Sequence, residues 1–281
     1  MKKITKLKLL KPTNSGSRGA SFVIRTGISK DKPKKGLVVK HKRSLGRDDS
    51  GRVSIRHRGG GHQRKYRLVT TIDKNGAGDY VVERLEYDPN RSAYIALLKD
   101  KNDKYSYIVA PSDLKIGEKV TFGDEAGINT GDRVTIGNVP TGIAIHSIEI
   151  TPQSKAKMVR AAGTKAIVMA HEGKYTTVKL PSGEIRKFHN ECLVSVGSLS
   201  NELHNMIKIG KAGRKRHMGI RPTVRGKAMH PAAHPHGGGE GVNPIGLKHP
   251  KTPWGKPAMG YRTNRKVNQF IVKRRPKRRR K

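Results

Sequence analysis

Tyr80-Val81-Val82-Glu83-Arg84-Leu85-Glu86-Tyr87 leads into Asp88-Pro89-Asn90-Arg91-Ser92-Ala93 and continues as Tyr94-Ile95-Ala96-Leu97-Leu98. Two runs rich in aromatic and aliphatic residues, joined by Asp-Pro-Asn, predict two strands folded about a tight turn. The pattern repeats on both sides. Tyr66–Ile72, Tyr105–Ala110 and Lys119–Phe122 bring the first set to five strands. Lys74–Asp79 is a hairpin-type connector, and Lys99–Lys104 is a polar turn. A second set follows over Val134–Ile136, Ile143–Ile150, Ala166–Ala170, Tyr175–Leu180, Glu184–Phe188 and Leu193–Val196, with turns at His171–Lys174 and Pro181–Gly183.

Two consecutive sets of short strands predict a mainly β chain with tandem small barrels, an OB-fold and then an SH3-like barrel. Small barrels close their own edges and need little apolar material. The expected divisions are a basic N-terminal extension over 1–40, the first barrel over 41–122, the second over 123–199, and a basic C-terminal extension over 200–281. Both extensions are expected to be long and irregular. One helix is expected, Asn201–Ile209, with Ser200 as N-cap and Gly210 as stop. Beyond Gly210 the sequence predicts loop and extended chain.

Charge divides the chain in the same places. Of 281 residues, 60 are Lys or Arg and 21 are Asp or Glu, a net charge of +39. The segment 66–200 is nearly neutral, so almost all of the excess lies in 1–65 and 201–281. Arms this cationic repel themselves unless a polyanion neutralises them, and nucleic acid is the leading candidate over a membrane surface or an acidic protein. Only 33% of residues are hydrophobic, too few for ordinary cores throughout. No run of about 18 apolar residues occurs, so no membrane helix is expected. The lone cysteine rules out a disulfide scaffold and a zinc site built from several thiolates. The lysine-broken start, Met1–Leu10, does not resemble a secretory signal, and an intracellular protein is expected.

Four constellations carry candidate chemistry. In Gly51–Lys65, three consecutive glycines (Gly59, Gly60, Gly61) allow close backbone approach to phosphate, flanked by Arg56, Arg58, His62, Arg64 and Lys65. A nucleotide-binding P-loop fails for want of a following Gly-Lys-Ser/Thr; a flexible linker is the plainer alternative. Arg91 is expected on the exposed turn, where an ordinary surface arginine competes with a phosphate contact. Lys155–Lys165, with Arg160, sets small residues beside cations, or is simply a turn between strands. The densest segment, Gly210–Gly226, holds Lys211, Arg214, Arg216, Arg221 and Arg225, and continues to His230, His234, His236 and Glu240. A zinc site and a His234 general base are the competing readings of this cluster. The cations disfavour metal, and Glu240 is the one carboxylate available to orient a base. RNA packing is the default: glycine for proximity, proline for stiffness, His and Arg for hydrogen bonding and stacking. Aromatics are only 5%, so serial base stacking is not expected to be the main mode.

The chain closely resembles the universal large-subunit ribosomal protein two family (the L-two family), of bacterial or organellar type. The resemblance is carried by Gly51–His62, Val82–Leu97, Arg160–Ala166, Leu180–Lys187, Gly210–Met229, His234–Gly241 and Thr252–Pro257, in the family's order and over nearly the whole chain. It implies the two barrels, with terminal extensions threading ribosomal RNA. It implies a non-enzymatic, primary rRNA-binding protein that supports subunit association, tRNA binding and assembly of the peptidyl transferase centre. The implied partners are large-subunit rRNA, other ribosomal proteins and the small subunit; the implied location is a ribosome, cytoplasmic or else organellar. No cofactor is implied; rRNA-associated magnesium is the one ion it leaves room for. The resemblance marks Arg91 and Arg160 as RNA-binding and links His234 to peptidyl transferase function, where an architectural role is expected. This chain departs from the family's usual residues at His217 (Trp), His230 (Asn) and Ala232-Ala233 (Val-Asp), and Lys11–Gly16 lacks a second proline.

Overall fold

The computed structural model describes residues 5–41, 43–70, 78–123, 126–241, 243–258 and 268–275. The chain divides into two compact units: Met1–Lys42, Gln63–Lys211 and Gln269–Lys281 form a core unit, Arg43–His62 and Ala212–Asn268 a cationic unit.

All seventeen described strands belong to the core unit. They are β1 (Thr5–Leu9), β2 (Ser21–Arg25), β3 (Val38–Lys40), β4 (Lys65–Arg67), β5 (Gly78–Glu86), β6 (Ile95–Asp100), β7 (Tyr105–Val109), β8 (Lys119–Phe122), β9 (Arg133–Thr135), β10 (Ala144–His146), β11 (Ile148–Glu149), β12 (Ala156–Met158), β13 (Ala166–Glu172), β14 (Tyr175–Lys179), β15 (Ile185–His189), β16 (Leu193–Val196) and β17 (Ile271–Lys273). Eleven of them form one sheet, ordered β17-β15-β14-β13-β10-β16-β9-β8-β5-β6-β7. The chain is thus mainly β, with β5 and β6 paired antiparallel about the Asp88-Pro89-Asn90 turn. Two large cores are separate from each other, beside two smaller clusters, Ala93, Val109, Ala162 and Leu199, and Ile95, Leu97 and Tyr107. Val82, Leu85, Tyr94, Ala96, Leu98, Ile108, Leu114, Val120 and Phe122 pack together in the first set. Val134, Ile136, Val139, Ile145, Ile148, Val168, Val178, Phe188 and Val194 fill the second. Hydrogen bonds continue from one set to the other through the single parallel pairing of β8 with β9.

Several elements differ from expectation. The hairpin β1–β2, the strand β12 and the edge strand β17 were not anticipated. The Tyr66–Ile72 strand shortens to β4 plus a bridge at Val69; residues 71–72, the start of the Lys74–Asp79 connector and the 277–281 tail lie outside the described residues. The expected helix Asn201–Ile209 is only a 3-10 turn, Glu202–Met206. Its cap is taken by other work. The Ser200 hydroxyl accepts the Tyr94 backbone N–H at 3.1 Å, and Asn201 sits in a left-handed conformation, its side-chain amide donating to the Ser92 carbonyl. Tertiary bonding at this seam overrides a local helix start. A six-residue helix, α1 (Ala212–His217), forms in the cationic unit where loop was expected.

One buried polar cluster lies beside the β8–β9 crossing. Arg133 donates to the Glu149 carboxylate at 3.1 Å and to the Ser147 carbonyl, and the second Glu149 oxygen accepts the Leu193 N–H. His146 is fully enclosed beside it, bonded through Nδ1 to the Ser147 hydroxyl, and its Nε2 has no hydrogen-bond partner. Burial, with Arg133 and Arg160 adding repulsion, pushes the His146 pKa from 6.5 down to about 3. The folded state therefore excludes a proton that the unfolded chain accepts below about pH 6.5. Stability from this group is full above that pH and is lost as pH falls from about 6.5 toward 3, by about 2 kcal/mol at pH 5. Urea unfolding followed by circular dichroism at pH 7.5 and 5 should show this loss, and His146→Phe should flatten it. An unchanged slope in the variant would assign acid sensitivity to other groups.

Candidate nucleic-acid interface

The predicted site residues fall into two groups. Arg91, Arg160 and Lys211 belong to the core unit; Arg56, Arg58, His62, Arg214, Arg216, Arg221, Arg225, His234 and His236 belong to the cationic unit.

Arg91 is not the freely exposed arginine of an open turn. Its side chain is only 17% exposed and pairs with fully buried Asp88. It also donates to the Arg67 carbonyl at 3.3 Å and the Tyr66 hydroxyl at 3.2 Å. Asp88 in turn accepts the Asn90 N–H at 2.8 Å, so the Asp-Pro-Asn turn is closed by the carboxylate that holds the arginine. The sequence marks Asp88 as a turn residue and not as the partner of Arg91; an Asp three residues before Arg in a turn is the available signal. Arg160 is half-buried, donates to the Ala156 carbonyl at 3.0 Å, and has its pKa lowered by burial and then by Arg91. Arg91 and Arg160 are thus near enough to repel, and each is braced by protein acceptors. Lys211 is exposed at the end of this unit.

The cationic unit is assembled by backbone. The N–H of Gly59 donates to the Gly219 carbonyl, that of His62 to His217, and that of Arg221 to His57. A Cβ on Gly61, which has φ +86°, would stand 2.8 Å from the Gly219 nitrogen. The close approach that the triple glycine permits is thus, at Gly61, to the chain's own backbone, and at Gly59 to the Arg221 side chain. His62 and His217 add a ring contact at 4.5 Å. Arg56, Arg58, Arg216, Arg221 and Arg225 are exposed, and Arg214 is half-buried on α1.

His234 is the only buried side chain among the described residues of this unit, at 8% exposure. A Cβ on Gly226 would overlap its ring, so glycine is required there. The His236 N–H donates to His234 Nδ1 at 3.1 Å, and the Lys251 N–H donates to His236 Nε2 at 2.8 Å. A neutral imidazole has one ring lone pair; in both histidines a backbone N–H occupies it. Burial, His236 and Arg56 lower the His234 pKa, which favours that neutral form. His234 Nδ1 is thus an acceptor within a turn, and Nε2 carries the proton. Among the described residues, no group of three His, Cys, Asp or Glu is placed to hold a metal ion.

Cation-rich turns braced by backbone, in a chain whose other unit is a β structure with small apolar cores, are the features of a structural RNA-binding protein. Residues 34–122 match the family model "Ribosomal Proteins L2, RNA binding N-terminal domain", and residues 129–255 match "Ribosomal Proteins L2, C-terminal domain". The chain belongs to the ribosomal protein L2 family, and its role is that of a structural rRNA-binding component of the large ribosomal subunit. None of the described helices is long and apolar enough to cross a membrane.

Proposed function

We propose that this chain is a primary rRNA-binding protein that supports subunit association, tRNA binding and assembly of the peptidyl transferase centre. Arg56, Arg58, His62, Arg91, Arg160, Lys211, Arg214, Arg216, Arg221, Arg225, His234 and His236 are the proposed contacts to rRNA or the residues that shape them. The carrying observation is the composition of the cationic unit. It holds 17 Lys or Arg against Asp48, Asp49 and Glu240, and none of its described residues joins a hydrophobic core cluster. Such a segment gains little from apolar burial, and phosphate neutralisation supplies the missing driving force. The small subunit, other ribosomal proteins and any magnesium held by the RNA are partners of that assembly.

The His234 geometry favours architecture over acid–base chemistry, since the lone pair a base would use is already engaged. His234→Ala should yield large subunits stalled as incomplete particles on sucrose gradients, with Gly226→Ala reproducing the defect by crowding the same ring. Fully assembled particles with slow peptide-bond formation would instead make His234 a catalytic group.

A further inference from the structure

Aromatics are scarce in this chain, and its only tryptophan is placed in the open: Trp254 is 77% exposed. One exposed apolar side chain is ordinary on a protein surface. Three features set this one apart.

First, it stands at the tip of a cross-braced turn. Thr252 N–H donates to the Lys256 carbonyl at 2.6 Å, Gly255 N–H to Thr252 at 2.9 Å, and Ala258 N–H to Pro250 at 2.7 Å. Lys251 and Pro257 form an antiparallel bridge beneath the tip, and the Lys251 N–H is bonded to His236. The indole is presented by a fixed loop, so little backbone entropy would be lost on binding. Second, the Arg56 guanidinium lies over the ring, 5.5 Å from its centroid. That is cation–π range and too close to admit a base between the two groups. Third, the surrounding unit is the polycationic one, so whatever reaches the indole arrives on a polyanion.

We propose that Trp254 and Arg56 form a nucleobase-stacking site for one unpaired residue of RNA. The base stacks on the indole, and Arg56 takes the neighbouring phosphate while polarising the ring. Continuous duplex does not fit, because its base faces are already covered by their neighbours. The inference rests on the rRNA-binding reading above and adds to it one contact that is sensitive to pairing.

Because Trp254 is the sole tryptophan, its emission reports the site without any variant. The test uses the full chain with poly(A), and with the poly(A)·poly(U) duplex, at a salt concentration where both bind. Binding is followed independently by co-sedimentation. Poly(A) should quench the emission and the duplex should not. Trp254→Ala should weaken poly(A) binding by roughly 5- to 100-fold, leave duplex binding unchanged, and be partly rescued by Trp254→Phe. Equal quenching by both polymers, or binding of poly(A) without quenching, would overturn the stacking site and leave the RNA-binding reading standing. Failure of both polymers to bind, even at low salt, would overturn that reading itself and the inference with it.

Discussion

Raising monovalent salt from about 50 to about 200 mM should weaken binding of the isolated chain to a large-subunit rRNA fragment by roughly 10³–10⁵-fold. The size follows from the cations. Nine of the proposed contact residues are Arg or Lys: Arg56, Arg58, Arg91, Arg160, Lys211, Arg214, Arg216, Arg221 and Arg225. If most of them neutralise a phosphate, each releases counterions from the RNA, and the log–log slope approaches about −0.9 per contact on duplex. Filter binding across a salt series measures that slope. A slope near −2 would mean that only two or three of these cations touch phosphate, and the extended interface would have to be abandoned. The arginines are not equivalent in this test. Arg56, Arg58 and Arg221 are exposed, and replacing one by Ala should lower the slope by about one and leave the fold untouched. Arg91 is different. Its removal also strips the counter-charge from fully buried Asp88, so loss of RNA binding in Arg91→Ala confounds contact with folding. The paired variant Arg91→Ala with Asp88→Asn removes that charge and is the fairer probe.

What was legible in the sequence, and what was not, follows from where the ordering interactions lie. The strands of the two central sets stand close to expectation because their apolar runs are buried: Ala96 and Leu98 enter one cluster while Ile95 and Leu97 of the same strand enter another, and Ala166 and Val168 alternate into the core of the second set. The hairpin β1–β2 was missed although Lys6-Leu7-Lys8-Leu9 alternates with period two. Its lysines belong by composition to a charged arm, and the partner strand that gives the alternation meaning begins twelve residues after β1 ends. Helix α1 has no apolar face in Ala212–His217, so no periodicity marks it. Residues 202–206 form a 3-10 turn and not the expected helix because Ser200 is an apt cap in sequence but binds Tyr94 in space. The candidate site is legible in the sequence as residue types, Arg, His and Gly. Their bracing is not. Asp88 under Arg91, and Gly226 against His234, are pairings set by tertiary contact. The joining of 43–62 with 212–268 into one unit rests on backbone hydrogen bonds such as His62 to His217, which leave no side-chain signature.

Glu149→Ala should be the most damaging single substitution in the core unit, at about 3–5 kcal/mol. Glu149 is 0% exposed, and its partner Arg133 is 3% exposed. Removing the carboxylate takes the counter-charge from a guanidinium sealed from water, whose other acceptors, the Ser147 carbonyl and the Ser195 hydroxyl among them, are neutral or weaker, and it orphans the Leu193 N–H. Amide hydrogen exchange should show protection of β9 and β16 falling by about two to three orders of magnitude, since every 1.4 kcal/mol is a factor of ten. Glu149→Gln separates the two losses: the amide oxygen can still accept the Leu193 N–H, so the part of the cost it spares is the hydrogen bond and the part it keeps is the charge. Replacing both partners, Arg133→Met with Glu149→Leu, should recover some of the stability but not all of it. An apolar pair is often as stable as a buried ion pair, yet here the Ser147 carbonyl and the Leu193 N–H stay unpaired. A double variant as stable as the parent would show that those two backbone groups find other partners. A cost below about 1 kcal/mol for Glu149→Ala would mean that water reaches Arg133, and that the junction beside β8 and β9 is open rather than sealed.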